Sequence, residues 1–234
     1  MDYSAVSEEM KRILELRYEP VAITLIKEGE DLPGDYTVPE TSIRHCGAIM
    51  KARTGEKLLV PAFKQACPVG ASALGLVPTP PKVSSGEFHH NMGMYKTPEA
   101  AKHTIETRPA LPEGSIKAVA LSPLSKATIT PDVIVVTALP EQAFWLMPAT
   151  ATYEEGGRVT VDMGAVQATC ADSTVIPYKF DRLSISLGCF GCRKTSGIAA
   201  DEMLVGIPFK KFERTMDALR AMGSNAIPKS RAKA

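Results

Sequence analysis

The sequence predicts an α/β or α+β fold, a mixed sheet with packed helices, and three observations carry that reading. Strand-like, β-branched runs alternate with segments of helical apolar spacing along the whole chain. Hydrophobic residues make up 44% of the 234, enough for a packed core without staples. The third observation is a repeated unit: a cysteine near the start of a helix-like segment, a strand-like run, then a second cysteine in a glycine-bearing turn. It occurs at Cys46 and Cys67 and again at Cys170 and Cys189, with separations of 21 and 19 residues. Such a unit suggests an internal duplication, halves 1–110 and 111–223 packing about a pseudo-twofold with their cysteines facing it. Residues 1–223 are expected to form a single globular domain, followed by a flexible basic tail over 224–234.

Taken in order, Val6, Met10, Ile13 and Leu14 recur at helical spacing with Ser7-Glu8-Glu9 supplying a cap and an acidic first turn, so the chain opens on an amphipathic helix that Pro20 stops. Val21–Ile26 follows as a strand. The first cysteine unit holds a helix-like stretch from Arg44 to Met50, a strand over Lys57–Pro61, and the turn Cys67-Pro68-Val69-Gly70. Val77 to Gly93 is broken by prolines and glycines and reads as a surface loop carrying His89 and His90. Thr97-Pro98-Glu99 supplies a cap, a proline at the first helical position and an acid, and starts a helix to about Thr107. Ile116–Leu121 and Asp132–Thr137 look like neighbouring strands, and Pro140–Met147 is helical. Arg158–Asp162 alternates as a short strand. The second unit runs from Ala168 through the strand Arg182–Leu187 to Gly188-Cys189-Phe190-Gly191-Cys192-Arg193. Met203–Ile207 is a last strand, and the stripe Phe209, Phe212, Met216 and Leu219 belongs to a final helix and the core.

Charge excludes several functions. With 27 basic and 26 acidic side chains the net charge is +1, and aromatic content is 6%, so neither a field nor a stacking platform exists for nucleic acid. The N-terminus lacks the basic-then-apolar layout of a signal peptide, and no apolar run approaches the ~20 residues of a membrane span. The expectation is a soluble cytoplasmic protein with no membrane partner. In that reducing compartment five cysteines are free, catalytic or metal-bound rather than a disulfide framework.

Thiolates are soft ligands for iron–sulfur clusters, zinc and Cu(I), and N–H groups of glycine-rich turns stabilise cluster sulfurs. Cys46, Cys67, Cys170 and Cys189 are therefore candidate metal ligands, with Gly188, Gly191 and Arg193 placed to support the bound group. The alternatives stay open here: a dithiol redox pair of Cys189 and Cys192 with a thiolate favoured by Arg193 and Lys194, a zinc-stabilised binding module without enzymatic activity, or inert buried thiols. His89 and His90 adjoin and point different ways, which suits at most one as a ligand and both as solvent-facing side chains. No dinucleotide, P-loop, zincin or serine-hydrolase motif is present.

Arg44-His45-Cys46, Ala66-Cys67-Pro68-Val69-Gly70-Ala71, Ser85-Gly86-Glu87-Phe88, Gln167–Asp172, Ser186-Leu187-Gly188-Cys189 and Val205-Gly206-Ile207-Pro208 together resemble the prokaryotic family called domain of unknown function 169. The resemblance spans roughly Met1 to Met222. It implies cysteines at the places of Cys46, Cys67, Cys170 and Cys189, with the place of Cys192 variable, which favours a four-ligand site over the redox pair. The family is frequent in methanogens and other anaerobes, a setting that suits an oxygen-sensitive cluster. The expectation is thus an iron–sulfur protein of the four-iron (4Fe-4S) type for electron transfer or cluster-dependent redox chemistry. A redox partner protein and a homodimer go with it.

Overall fold

The structure, a computed structural model, describes residues 1–231. Its strands are β1 (Val21–Lys27), β2 (Leu58–Pro61), β3 (Ile116–Pro123), β4 (Val133–Ala138), β5 (Ser184–Ser186) and β6 (Met203–Pro208). They form one sheet in the order β2-β3-β1-β4-β6-β5, and every neighbouring pair is antiparallel. The fold is therefore α+β, the second of the two expected classes, and its antiparallel sheet corrects the expected mixed one. Periodicity identifies a strand but not its direction, which depends on how each connection returns.

Side chains alternate across the strands and so split the apolar residues between two faces. Val21, Ile23 and Leu25 join Val133 and Val135 in one core cluster, while Ala22, Ile134 and Val136 belong to another. Helices cover both faces. The first carries His45–Ala52, Pro68–Ala73 and a continuous helical segment made of Ala168–Cys170, a π-helical stretch Ala171–Val175 and Ile176–Phe180. The second carries Tyr3–Leu14, Pro140–Ala151 and Phe212–Gly223. All cysteines in a core cluster, Cys46, Cys170 and Cys192, lie in the first.

Read outward from the central pair, β1 is followed by β3 and β2, and β4 by β6 and β5. This is a likeness of strand order alone, in which β3 (Ile116–Pro123) sits beside β1 and β2.

Other expectations are corrected locally. Arg158–Asp162 forms no strand: the segment is half-buried to exposed, so its alternation has no sheet to face. The loop over 77–93 contains two short helices, Pro81–Ser84 and Glu87–Asn91. The first helix is capped by Asp2, whose carboxylate accepts from the Ser4 and Ala5 N–H groups, rather than by Ser7. Over the described part of the expected flexible tail, Ala226–Arg231 is helical, because Ile227 is buried and Arg231 pairs with Glu15 and Glu141. Residues 232–234 lie outside the described residues. No helix among the described residues is long and apolar enough to cross a membrane.

Candidate functional site

Two of the cysteines occupy the same kind of position. Cys67 is the N-cap of Pro68–Ala73 and Cys189 the N-cap of Phe190–Thr195. An N-cap side chain faces backbone N–H groups that have no partner within the helix. The Cys67 Sγ accepts from the Gly70 N–H at 3.4 Å. Cys46 and Cys170 stand instead within helical segments, Cys46 in His45–Ala52 and Cys170 at the end of Ala168–Cys170.

The fold brings all five thiols to one open cleft of about 850 Å³. Cys189 Sγ lies 3.1 Å from Cys192 Sγ, and the Thr169 hydroxyl donates to Cys192 Sγ at 3.2 Å. The side chain of Cys192 also meets Cys46. Gly70 exists to make room: a Cβ there would stand 2.7 Å from Cys170 Sγ and 3.6 Å from Cys67 Sγ. The backbone N–H groups of Cys192 and Gln167 are directed at Cys189. Gln167 adopts a left-handed backbone, φ 58°, a conformation costing a non-glycine residue about 1 kcal/mol or more. Its side chain is tied to the Arg108 guanidinium, which also donates to Ser72 and Thr79 at 3.1 and 2.8 Å.

Residues 9–218 match the family model of DUF169, described as "Uncharacterised ArCR". The uncharacterized protein MJ0308 of Methanocaldococcus jannaschii is 34% identical over 224 residues, covering 94% of this chain and 95% of the relative. The chain belongs to the DUF169 family. No solved structure matches it.

In this DUF169 protein three of the metal-free thiols, Cys170, Cys189 and Cys192, are held toward the protonated form. Burial, then the neighbouring Cys192, Cys67 and Cys189, push the Cys170 thiol well up. Cys189 is raised by its contact with Cys192 and by burial. The Cys189 contact works to lower Cys192, yet the Cys46 contact and burial prevail and raise it. Among the described residues, no group of three or more His, Cys, Asp and Glu is placed to hold a single metal ion.

Cys46, Cys67, Cys170, Cys189 and Gly191 all line the cleft. Gly188 and Arg193 do not. Gly188 turns the chain into the Cys189 helix with φ 77°. Arg193 bonds the carbonyls of Leu187 and Glu202 at 2.6 and 2.7 Å, and that of Ala199, so its charge braces the surrounding loop. The cations that line the cleft are Arg44, Lys82 and Lys194. His89 is a correction: it is buried and lines the cleft, because Glu87–Asn91 is a helical turn that directs it inward, whereas His90 bonds the Tyr95 carbonyl. Sequence reasoning missed Arg108 and Gln167. Arg108 follows a helix as an ordinary surface residue would, and a left-handed glutamine leaves no compositional trace.

Proposed function

We propose that the cleft holds a thiolate-ligated metal group, an iron–sulfur cluster of the four-iron type, on Cys46, Cys67, Cys170 and Cys189. The observation that carries this reading is the convergence of five thiols, from segments far apart in sequence, on one cleft. Inert buried cysteines have no reason to gather. The residues fit such a group in their chemistry. The donors are soft, N–H groups of Gly70, Gln167 and Cys192 point at sulfur, and Gly70 keeps the space beside two sulfurs clear. The raised thiols agree, because a bound metal displaces the protons that the apo site retains. A bound cluster would supply one-electron redox chemistry. The protein's own residues hold the sulfurs, exclude water through the buried helices behind them, and brace the site through Arg108.

The matching strand order and the matching placement of the two N-cap cysteines support a duplication, with the site on the seam between halves. Electron transfer to a redox partner protein follows from this reading.

A second reading, a dithiol centre of Cys189 and Cys192, is favoured by their 3.1 Å contact. Against it stands the acidity of both thiols, since a redox-active cysteine has a lowered pKa and these are raised.

The deciding experiment is anaerobic purification followed by iron, acid-labile sulfide and zinc analysis with a visible spectrum. About four iron and four sulfide per chain, lost in Cys67→Ala or Cys170→Ala, is the expected result. Colourless protein that contains zinc would replace the cluster with a structural metal. Protein that takes up neither metal after iron and sulfide reconstitution would leave the dithiol reading in front.

A further inference from the structure

We infer that the cleft over the cysteines binds a small organic anion with an apolar body, anchored by Arg44 and Lys194. This deepens the proposed function by naming the class of molecule brought to the thiol site, and it rests on that reading for the chemistry but not for the binding.

A volume of about 850 Å³ lies within the usual range for ligand sites. The lining also includes the apolar side chains of Pro80, Val83, Phe88, Met92 and Met94. Charge is one-sided: three cations line the cleft and not one aspartate or glutamate does, although the chain as a whole is nearly neutral.

Arg44 is the informative one. It is half-buried, and its guanidinium crosses so close over Gly191 that a Cβ there would stand 2.7 Å from Nη1. Among the described residues its guanidinium makes no hydrogen bond and no ion pair, although its backbone carbonyl accepts from the Ala48 N–H at 2.9 Å. A guanidinium has five donors and no acceptor, so one held against an apolar cleft without a carboxylate leaves a strong demand for an anion. Lys194 likewise has no ionic partner among the described residues and lies over the Phe190 ring at 5.9 Å. Lys82 contributes less, because Glu87 stands 3.6 Å away.

An independent observation points to a ligand as well. His45 and His89 both line the cleft, are 2% and 5% exposed, and each has an Nδ1 with no hydrogen-bond partner. Both are thus buried polar side chains with a nitrogen left unpartnered at the cleft. Convergent polar groups on an apolar wall are how a pocket orients a small molecule.

The test uses two probes of similar ring system, 8-anilinonaphthalene-1-sulfonate and the uncharged N-phenyl-1-naphthylamine. Both are titrated by fluorescence against the full chain, metal-free and after iron and sulfide reconstitution. The sulfonate is expected to bind near one per chain and about tenfold tighter than the amine. Arg44→Gln with Lys194→Gln should weaken the sulfonate about tenfold while leaving the amine within about twofold. Equal affinity of the two probes, or a sulfonate affinity indifferent to both substitutions, would overturn the inference. Near-UV circular dichroism checks the fold of the double variant. Should it fail to fold, Lys194→Gln alone and the salt dependence of sulfonate binding decide the matter, since loss of affinity in neither abolishes the claim. Anion-selective binding by protein that takes up no iron would sink the cluster and spare this site. Iron uptake with no preference between probes would do the reverse.

Discussion

The two halves use the same strand order to different ends, and one register position shows it. Val21 of β1 pairs with Pro123 of β3, and Val133 of β4 pairs with Pro208 of β6. Two residues before those prolines stand Leu121 and Gly206, both facing the cysteine layer. Leu121 pairs with Leu58 on the edge strand, whereas Gly206 pairs with Ser184. The first half fills this space with leucine. The second empties it, because the π-helical stretch Ala171–Val175 descends onto the sheet: a methyl at Gly206 would overlap the Ser173 carbonyl and stand 2.7 Å from Pro177 Cγ. Pro177 lacks an N–H, so the helix around it has no bond to offer the carbonyl one turn earlier. A π-bulge is a common signature of a functional helix, and this one begins at the residue after Cys170. The leucine position is therefore filled from within the sheet, and the glycine position by the helical segment that carries Cys170.

The sharpest way to break that comparison is to exchange the roles of these positions. Leu121→Ala removes a fully buried side chain and should destabilise by about 2–5 kcal/mol. Gly206→Ala adds a single methyl and should cost about 1–3 kcal/mol through overpacking against backbone that cannot step aside. Urea unfolding of both variants measures the two values. A neutral Gly206→Ala would mean that the helix above it yields, and the idea of a sheet emptied to seat Cys170 would go with it.

A second contrast lies three residues past each N-cap cysteine, where the first half has Gly70 and the second Cys192. The relation crosses the seam. Cys170 of the second half sits over Gly70, and Cys46 of the first half meets Cys192. Gly70→Ala should therefore displace the Cys170 sulfur, destabilise by about 1–2 kcal/mol and lower iron uptake on reconstitution. Cys192→Ala, which leaves the four proposed ligands intact, should retain most of that uptake. If the two variants lose iron equally, Cys192 is itself a ligand.

How much of this was legible in the sequence depends on whether a residue acts through its own side chain or through the space beside it. The six strand segments β1 to β6 were readable from β-branched runs, and the helix Pro98–Thr107 from its Thr97 cap, whose hydroxyl accepts from the Ala100 N–H as such a cap should. The four cysteines announced themselves by spacing. Strand direction did not, since it is a property of the returns between strands. Nor did the inward turn of His89, because Pro81 and Gly86 mark breaks in the chain without saying that short helices form between and after them. Arg193 was misjudged in the opposite sense: its charge and its place beside Cys192 suggested the cleft, while its length carries it to three loop carbonyls.

A last contrast concerns two buried titrations of opposite sign, one beside Cys46 and one beside Cys170. In the first half His45 precedes Cys46. It is buried, its Nε2 lies 2.9 Å from the Thr174 hydroxyl, and burial lowers its pKa to about 4. The unfolded chain takes that proton near pH 6.5 and the native chain only near 4, so His45 subtracts stability as pH falls through this window. In the second half Asp172 is buried two residues past Cys170, accepts from the Gly164 N–H at 3.1 Å, and is raised by burial to about 7. The native chain there holds a proton that the unfolded chain releases near 3.8, so Asp172 subtracts stability as pH rises toward 7. The slopes oppose each other across much of the acid range and partly cancel in the unaltered metal-free protein. Substitution separates them. His45→Gln should raise stability at pH 5 relative to pH 8, and Asp172→Asn should raise it at pH 8 relative to pH 5, as thermal midpoints at the two pH values would show. Parallel shifts in both variants would mean that neither group is held away from its ordinary protonation by the fold.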